Sequence, residues 1–140
     1  MKEINQKQDE IIEDFSLFDD WMGKYEHLIE FDKSLNDLEE KYKIEKNLVK
    51  GCQSNVWLHS ETKDGKLIFY ADSDAIITKG IVGLLLSVLS GQKPKDIVEA
   101  DLYFVEKIGL REHLSPSRAN GLVSMIEKMK LSALACTVNN

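Results

Sequence analysis

The chain has 140 residues, 43% of them hydrophobic and 30% charged, which suits one globular domain able to bury a real core. Its 18 Lys and Arg stand against 24 Asp and Glu, a net charge of −6. That balance argues against nucleic-acid binding, because phosphate contacts need a basic surplus. There are two cysteines, Cys52 and Cys136, and neither belongs to a Cys-x-x-Cys pair. A disulfide-rich secreted scaffold and a self-contained Cys-rich zinc or iron–sulfur site are thereby excluded. The polar stretch Met1–Glu10 has no signal-peptide character, and the most apolar run, Gly80–Leu86, is far too short to span a bilayer. A soluble, cytoplasmic protein with no membrane partner is expected.

The first 32 residues predict helix. Ile11, Phe15, Phe18, Met22, Tyr25 and Ile29 recur at steps of three and four and form one apolar stripe. Ser16 with Asp19 resembles a capping signal, which predicts two helices meeting near Phe15. Leu35–Tyr42 is charged and has room for a short turn. The period then changes. Asn47–Ser60 and Leu67–Tyr70 are β-rich, and Asp64-Gly65 lies between them. Asp-Gly tolerates positive φ, so an antiparallel hairpin is predicted, with a third strand around Asn47–Lys50.

Ser73 or Asp74 is placed to cap a helix over Ala75–Ser90, ended by Gly91. That helix is apolar nearly all round and is expected at the centre of the core. Pro94 opens a short helix through Ala100. Ser115-Pro116 opens a last helix to about Ala135, with Leu122, Met125, Ile126 and Met129 on one side. Helices, then a small sheet of two or three antiparallel strands, then helices again make an α+β fold in one domain over residues 1–140.

Cys52 is the principal chemical candidate. It sits in Lys50-Gly51-Cys52-Gln53-Ser54, where Gly51 lets the backbone turn and a partner approach. The Lys50 charge would favour thiolate. The bland alternative is a buried cysteine acting as a small hydrophobe. A hydrolase would need a histidine in reach of the thiol, and His27, His59 and His113 lie in no catalytic signature. His27 falls on the polar side of its helix and is expected to be solvated. Two cysteines and three scattered histidines match no ligand spacing, so no metal is expected. Arg118 opposes the dipole in the first turn of its helix, so it calls for an acidic partner or a ligand anion. Cys136 lies near the end of the chain and is read as incidental.

Three segments, in order, resemble the SufE/CsdE sulfur-acceptor family. They are Gly51-Cys52-Gln53-Ser54-Asn55-Val56-Trp57; Asp72-Ser73-Asp74-Ala75-Ile76-Ile77-Thr78-Lys79-Gly80, followed by the apolar helix and Ser90-Gly91-Gln92; and His113-Leu114-Ser115-Pro116-Ser117-Arg118, followed by Asn120-Gly121-Leu122. Lys24-Tyr25 with Leu28-Ile29-Glu30 is a weaker fourth match. The likeness runs from about residue 10 to residue 132, and the tail beyond it is expected to be disordered.

The resemblance implies an α+β architecture similar to the IscU/NifU scaffolds. It also implies a carrier, not an enzyme, with no cofactor of its own. Such a carrier takes persulfide sulfur from a pyridoxal-phosphate-dependent cysteine desulfurase of the SufS/CsdA type, whose PLP belongs to that partner. It stimulates the desulfurase and passes the sulfur to a SufBCD-type scaffold for iron–sulfur cluster assembly. The family cysteine falls on Cys52, and conserved polar positions near it fall on Asp74 and Arg118. Lys50, Gly51 and Gln53 complete the thiol environment. Asn55 departs from the Gln of many members, and Phe31-Asp32 from Leu-Gly. The other readings are a Cys-dependent thiol hydrolase and a non-catalytic interaction module with a buried cysteine.

Overall fold

The computed structural model describes residues 1–138. Helix α1 is Lys2–Ser16 and α2 is Trp21–Ile29, continued by a 3-10 turn over Glu30–Ser34. Strand β1 (Val56–Lys63) pairs antiparallel with β2 (Lys66–Ser73). Helices α3 (Ile76–Leu89), α4 (Pro94–Glu99), α5 (Phe104–Lys107) and α6 (Pro116–Val138) complete the chain. The fold is α+β, as the sequence predicts.

The hairpin forms where Asp64-Gly65 places it. Both residues have positive φ, 53° and 77°, and the pairing runs in register from Val56 opposite Ser73 to Lys63 opposite Lys66. Two positive φ values match the right-handed twist of the strands. The predicted third strand is reduced to one bridge between Leu48 and Trp57, with the Val49 N–H donating to the Val56 carbonyl at 2.8 Å. This residual pairing fixes where the chain enters the Lys50–Asn55 loop.

Helix α3 is the centre of the core. Leu84, Leu85 and Leu86 are at most 1% exposed, and α3 packs against α1, α2, β2, α6 and the Glu30–Ser34 turn. The contact with α2 and its turn is backbone against backbone. A methyl added at Gly80 would lie 2.6 Å from the Leu28 carbonyl oxygen, and one at Gly83 would lie 1.9 Å from that of Phe31.

Three sequence expectations are corrected. The α1–α2 break is capped by Asp20, whose carboxylate accepts from the Gly23 N–H at 2.9 Å, while Ser16 donates to Glu13 within α1. The break therefore lies at Leu17–Asp20, and the apolar stripe does not run through it: Met22 is exposed. Its consequence is that His27 is not solvated. It packs among Phe15, Phe18 and Phe31, and its Nε2 is buried without a partner among the described residues. Finally, the expected disordered tail is helical as far as Val138, with Ala133 fully buried; its last two residues, 139–140, lie outside the described ones.

The crossing at Gly83 yields a prediction. Alanine ordinarily stabilises a helix interior over glycine by about 1 kcal/mol. Gly83→Ala should instead cost about 3 kcal/mol through overpacking, read as a lowered denaturation midpoint in urea. A neutral or stabilising effect would mean that the crossing relaxes freely.

Candidate functional site

The chain leaves Val49, turns through Lys50–Asn55 and enters β1 at Val56. Gly51 makes the turn with φ +90°, where a side chain would be strained, and a Cβ there would also meet the Ser124 Oγ at 2.8 Å. The turn drops Cys52 into a seat between α3 and α6. Thr78 and Ile81 of α3 and Ser117, Arg118, Gly121 and Met125 of α6 line it, with Gln53 and Ser54 from the loop. The free volume is about 10 Å³, no more than the space one water needs.

Gly121 is the back of the seat. The Cys52 Sγ donates to its carbonyl oxygen at 3.7 Å, and a Cβ on Gly121 would lie 3.1 Å from that sulfur. A glycine inside a helix costs about 1 kcal/mol relative to alanine and calls for a packing reason; the thiol is that reason.

Burial pushes the Cys52 thiol above its ordinary range. This corrects the expectation that Lys50 would favour thiolate. Lys50 is exposed, and the partner on which its charge registers is Lys128, whose ammonium is lowered first by burial and then by that repulsion. Lys128 in turn donates to the carbonyls of Lys46 and Leu48 at 3.2 and 3.0 Å, bracing the chain before the loop. Arg118 is exposed beside the thiol and makes no ion pair among the described residues. Its backbone N–H donates to the Ser115 hydroxyl at 3.3 Å.

Asp74 does not cap α3, whose first turn has no side-chain cap. Its carboxylate accepts from the Asn55 backbone N–H at 3.1 Å and from the Asn55 side-chain amide at 2.9 Å. The Asn55 carbonyl accepts from the Ser73 hydroxyl at 2.8 Å and from the Asp74 N–H at 3.3 Å. Four hydrogen bonds thus clamp the outgoing end of the Cys52 loop to the end of β2. Asn55, which in sequence is only a departure from the Gln of many members, is the residue through which the loop is clamped. Thr78, Ser117, Gly121 and Met125 were also missed as parts of the seat, although all but Met125 lie in the three quoted segments.

No histidine lines the seat. His59 stacks on Tyr42 at 3.7 Å and meets Glu61 at 3.1 Å. His113 stacks on Trp21 at 3.8 Å and bonds to the Gly109 carbonyl. His27 sits in its phenylalanine cage. A thiol hydrolase lacks its base here. Among the described residues no group of three or more His, Cys, Asp or Glu could hold a metal ion.

Known proteins resemble this chain along most of its length. The family model described as "SufE: Fe-S metabolism associated domain" matches residues 9–133. An uncharacterized SufE-like protein of Rhizobium meliloti is 42% identical over 130 residues, covering 89% of this chain and 93% of its own. One from Synechocystis is 40% identical over 125 residues, covering 89% and 79%. The chloroplastic/mitochondrial SufE-like protein 1 of Arabidopsis thaliana is 36% identical over 135 residues, covering 96% of this chain and 36% of its own. In three dimensions the chain superposes on the solution structure of a hypothetical protein from Thermus thermophilus with a TM-score of 0.78 at 22% identity, covering 94% and 96% of the two chains; that likeness concerns the fold. With a cysteine seated in the first of its three signature segments and walled by the other two, the chain belongs to the SufE family of iron–sulfur metabolism.

Proposed function

We propose that this protein is a cytoplasmic sulfur carrier that receives persulfide sulfur on Cys52 from a PLP-dependent cysteine desulfurase of the SufS/CsdA type. It stimulates that enzyme and delivers the sulfur to a SufBCD-type scaffold for iron–sulfur cluster assembly. It forms a covalent intermediate without turning over a substrate of its own. The observation that carries this reading is the seat of Cys52: a thiol on a short loop that turns at a left-handed Gly51 and is clamped at Asn55, beside an arginine with no ion pair among the described residues, in a SufE domain. Among the described residues no helix is long and apolar enough to cross a membrane.

The chemistry is an exchange at sulfur. The Cys52 thiol loses its proton, and its Sγ attacks the outer sulfur of the desulfurase cysteine persulfide. A new S–S bond forms on Cys52, the old one breaks, and the desulfurase cysteine leaves as thiolate and takes up a proton. The transfer is redox-neutral and needs thiolate as the attacking group. The resting thiol is the wrong species for it, since burial holds its proton. The free space beside the thiol is about 10 Å³, the room of one water, so a second sulfur would crowd the seat. Both facts support a loop that shelters an empty Cys52 and presents it only to a partner. Arg118, at the mouth of the seat, supplies positive charge to the thiolate once the loop moves.

Mixing the protein with desulfurase, PLP and cysteine should add sulfur to Cys52, read by peptide mass spectrometry. Cys52→Ser should abolish the addition and the desulfurase stimulation, and Cys136→Ser should change neither. Added sulfur on Cys136 with Cys52 unmodified would overturn the proposal.

Arg118→Ala should change stability by no more than about 0.5 kcal/mol, as for an exposed side chain, and should slow sulfur acceptance. Transfer at the parent rate would make Arg118 irrelevant to it.

The thiol also has a pH signature. A raised pKa means that the folded chain holds its thiol proton more tightly than the unfolded chain does, so this group's contribution to stability is lost as pH rises past the unfolded value. Alkylation of Cys52 by iodoacetamide, with Cys136 replaced, should follow a pH curve displaced upward from that of the urea-unfolded chain. A coincident or lower curve would contradict control by burial.

A further inference from the structure

We infer that Trp21 and His113, which do not line the thiol cavity, are positioning residues for it: their stacked rings, tied down by Tyr25, hold the first turn of α6 as the wall over Cys52. The Trp21 and His113 rings lie 3.8 Å apart and 15° from parallel. One turn further along α2, the Tyr25 hydroxyl donates to the His113 carbonyl. The His113 ring is fixed at its other side as well. Its Nδ1 lies 3.0 Å from the Gly109 carbonyl, and because a carbonyl only accepts, the proton is assigned to Nδ1. Lys24 places its ammonium 4.9 Å from the Trp21 ring, and Gly109 lies beside that ring, a Cβ there falling at an ordinary contact distance of 3.4 Å.

His113 thus makes three separate contacts with fixed groups, and the chain beyond it has little slack. Leu114 is buried, the Ser115 hydroxyl and carbonyl accept from the N–H groups of Arg118 and Ala119, and Pro116 opens α6. Ser117, Arg118 and Gly121 then form the α6 side of the seat. With Gly121 packed so tightly on the Cys52 sulfur, a small shift of this turn is enough to unseat the thiol. The stack is well suited to resist such a shift, because two rings 3.8 Å apart and nearly parallel lose dispersion contact as soon as either slides away. Its importance for sulfur transfer rests on the carrier reading, whereas its control of Cys52 accessibility does not.

The test is the rate of iodoacetamide alkylation of Cys52 in a Cys136→Ser background, under conditions where every variant is folded by circular dichroism. Trp21→Ala should speed alkylation about tenfold through local opening, and Trp21→Phe, which keeps a ring on His113, should stay within about threefold of the parent. Leu89→Ala, at the far end of α3, destabilises the core elsewhere and should leave the rate near the parent value. An unchanged rate in Trp21→Ala, or an equal rise in Leu89→Ala, would overturn the inference. Should Trp21→Ala not fold, Tyr25→Phe decides. Loss of its one hydrogen bond to His113 should raise the rate about threefold, and a parent-like rate would overturn the inference. None of these rates involves a desulfurase, so a parent that fails to take up sulfur would sink the carrier reading alone.

Discussion

The thiol of Cys52 lies against the bare backbone of Gly121, and the elements around it are arranged to make that contact close. On one side it is held by α6, a long helix docked on the core through Leu122, Met125 and Met129. On the other it is presented by a loop whose two ends are fixed, by the Leu48–Trp57 bridge and by the Asn55–Asp74 clamp. Between those fixed ends stand a left-handed Gly51, exposed Lys50 and Gln53, and half-buried Cys52 and Ser54, with no fully buried side chain to anchor them. A segment so built opens at lower cost than the helices that frame it.

The frame depends in turn on α3. Its two glycines let α2 and the following turn approach backbone to backbone, so α3 serves two purposes along its length. Its first turns supply Thr78 and Ile81 to the thiol seat, and its middle fills the core with Leu84, Leu85 and Leu86. The same approach brings α2 close enough to reach the segment before α6, where Trp21 and Tyr25 meet His113. The thiol seat and the core thus share α3, the first near its N-terminal turns and the second along its middle.

How much of this could be read in advance depended on whether the cause was local. Asp64-Gly65 specified its turn because positive φ is a property of those two residues, and α3 announced itself by composition. Ser73 and Asp74 read locally as alternative helix caps, but the carboxylate of Asp74 binds Asn55, 19 residues away across the hairpin, a pairing that no local rule encodes. Lys50 was credited with the thiol's ionisation because it is adjacent in sequence, yet burial between two helices outweighs it. One stripe through the first 32 residues puts His27 on the polar side of its helix, whereas the break before Asp20 turns it among Phe15, Phe18 and Phe31. The four-residue helix α5 was missed, being shorter than the window in which periodicity can show. Cys52 stood out as the candidate thiol through family resemblance, while most of the residues that line its seat did not.

The central claim is that sulfur passes through Cys52 rather than past it. A pulse of sulfur-labelled cysteine with desulfurase and PLP, followed by a chase of unlabelled cysteine and an acceptor scaffold, follows that flow directly. Label that appears on Cys52 and then leaves for the acceptor at the overall transfer rate is the predicted result. Label that reaches the acceptor without ever residing on Cys52, or that stays on Cys52 through the chase, would contradict the account.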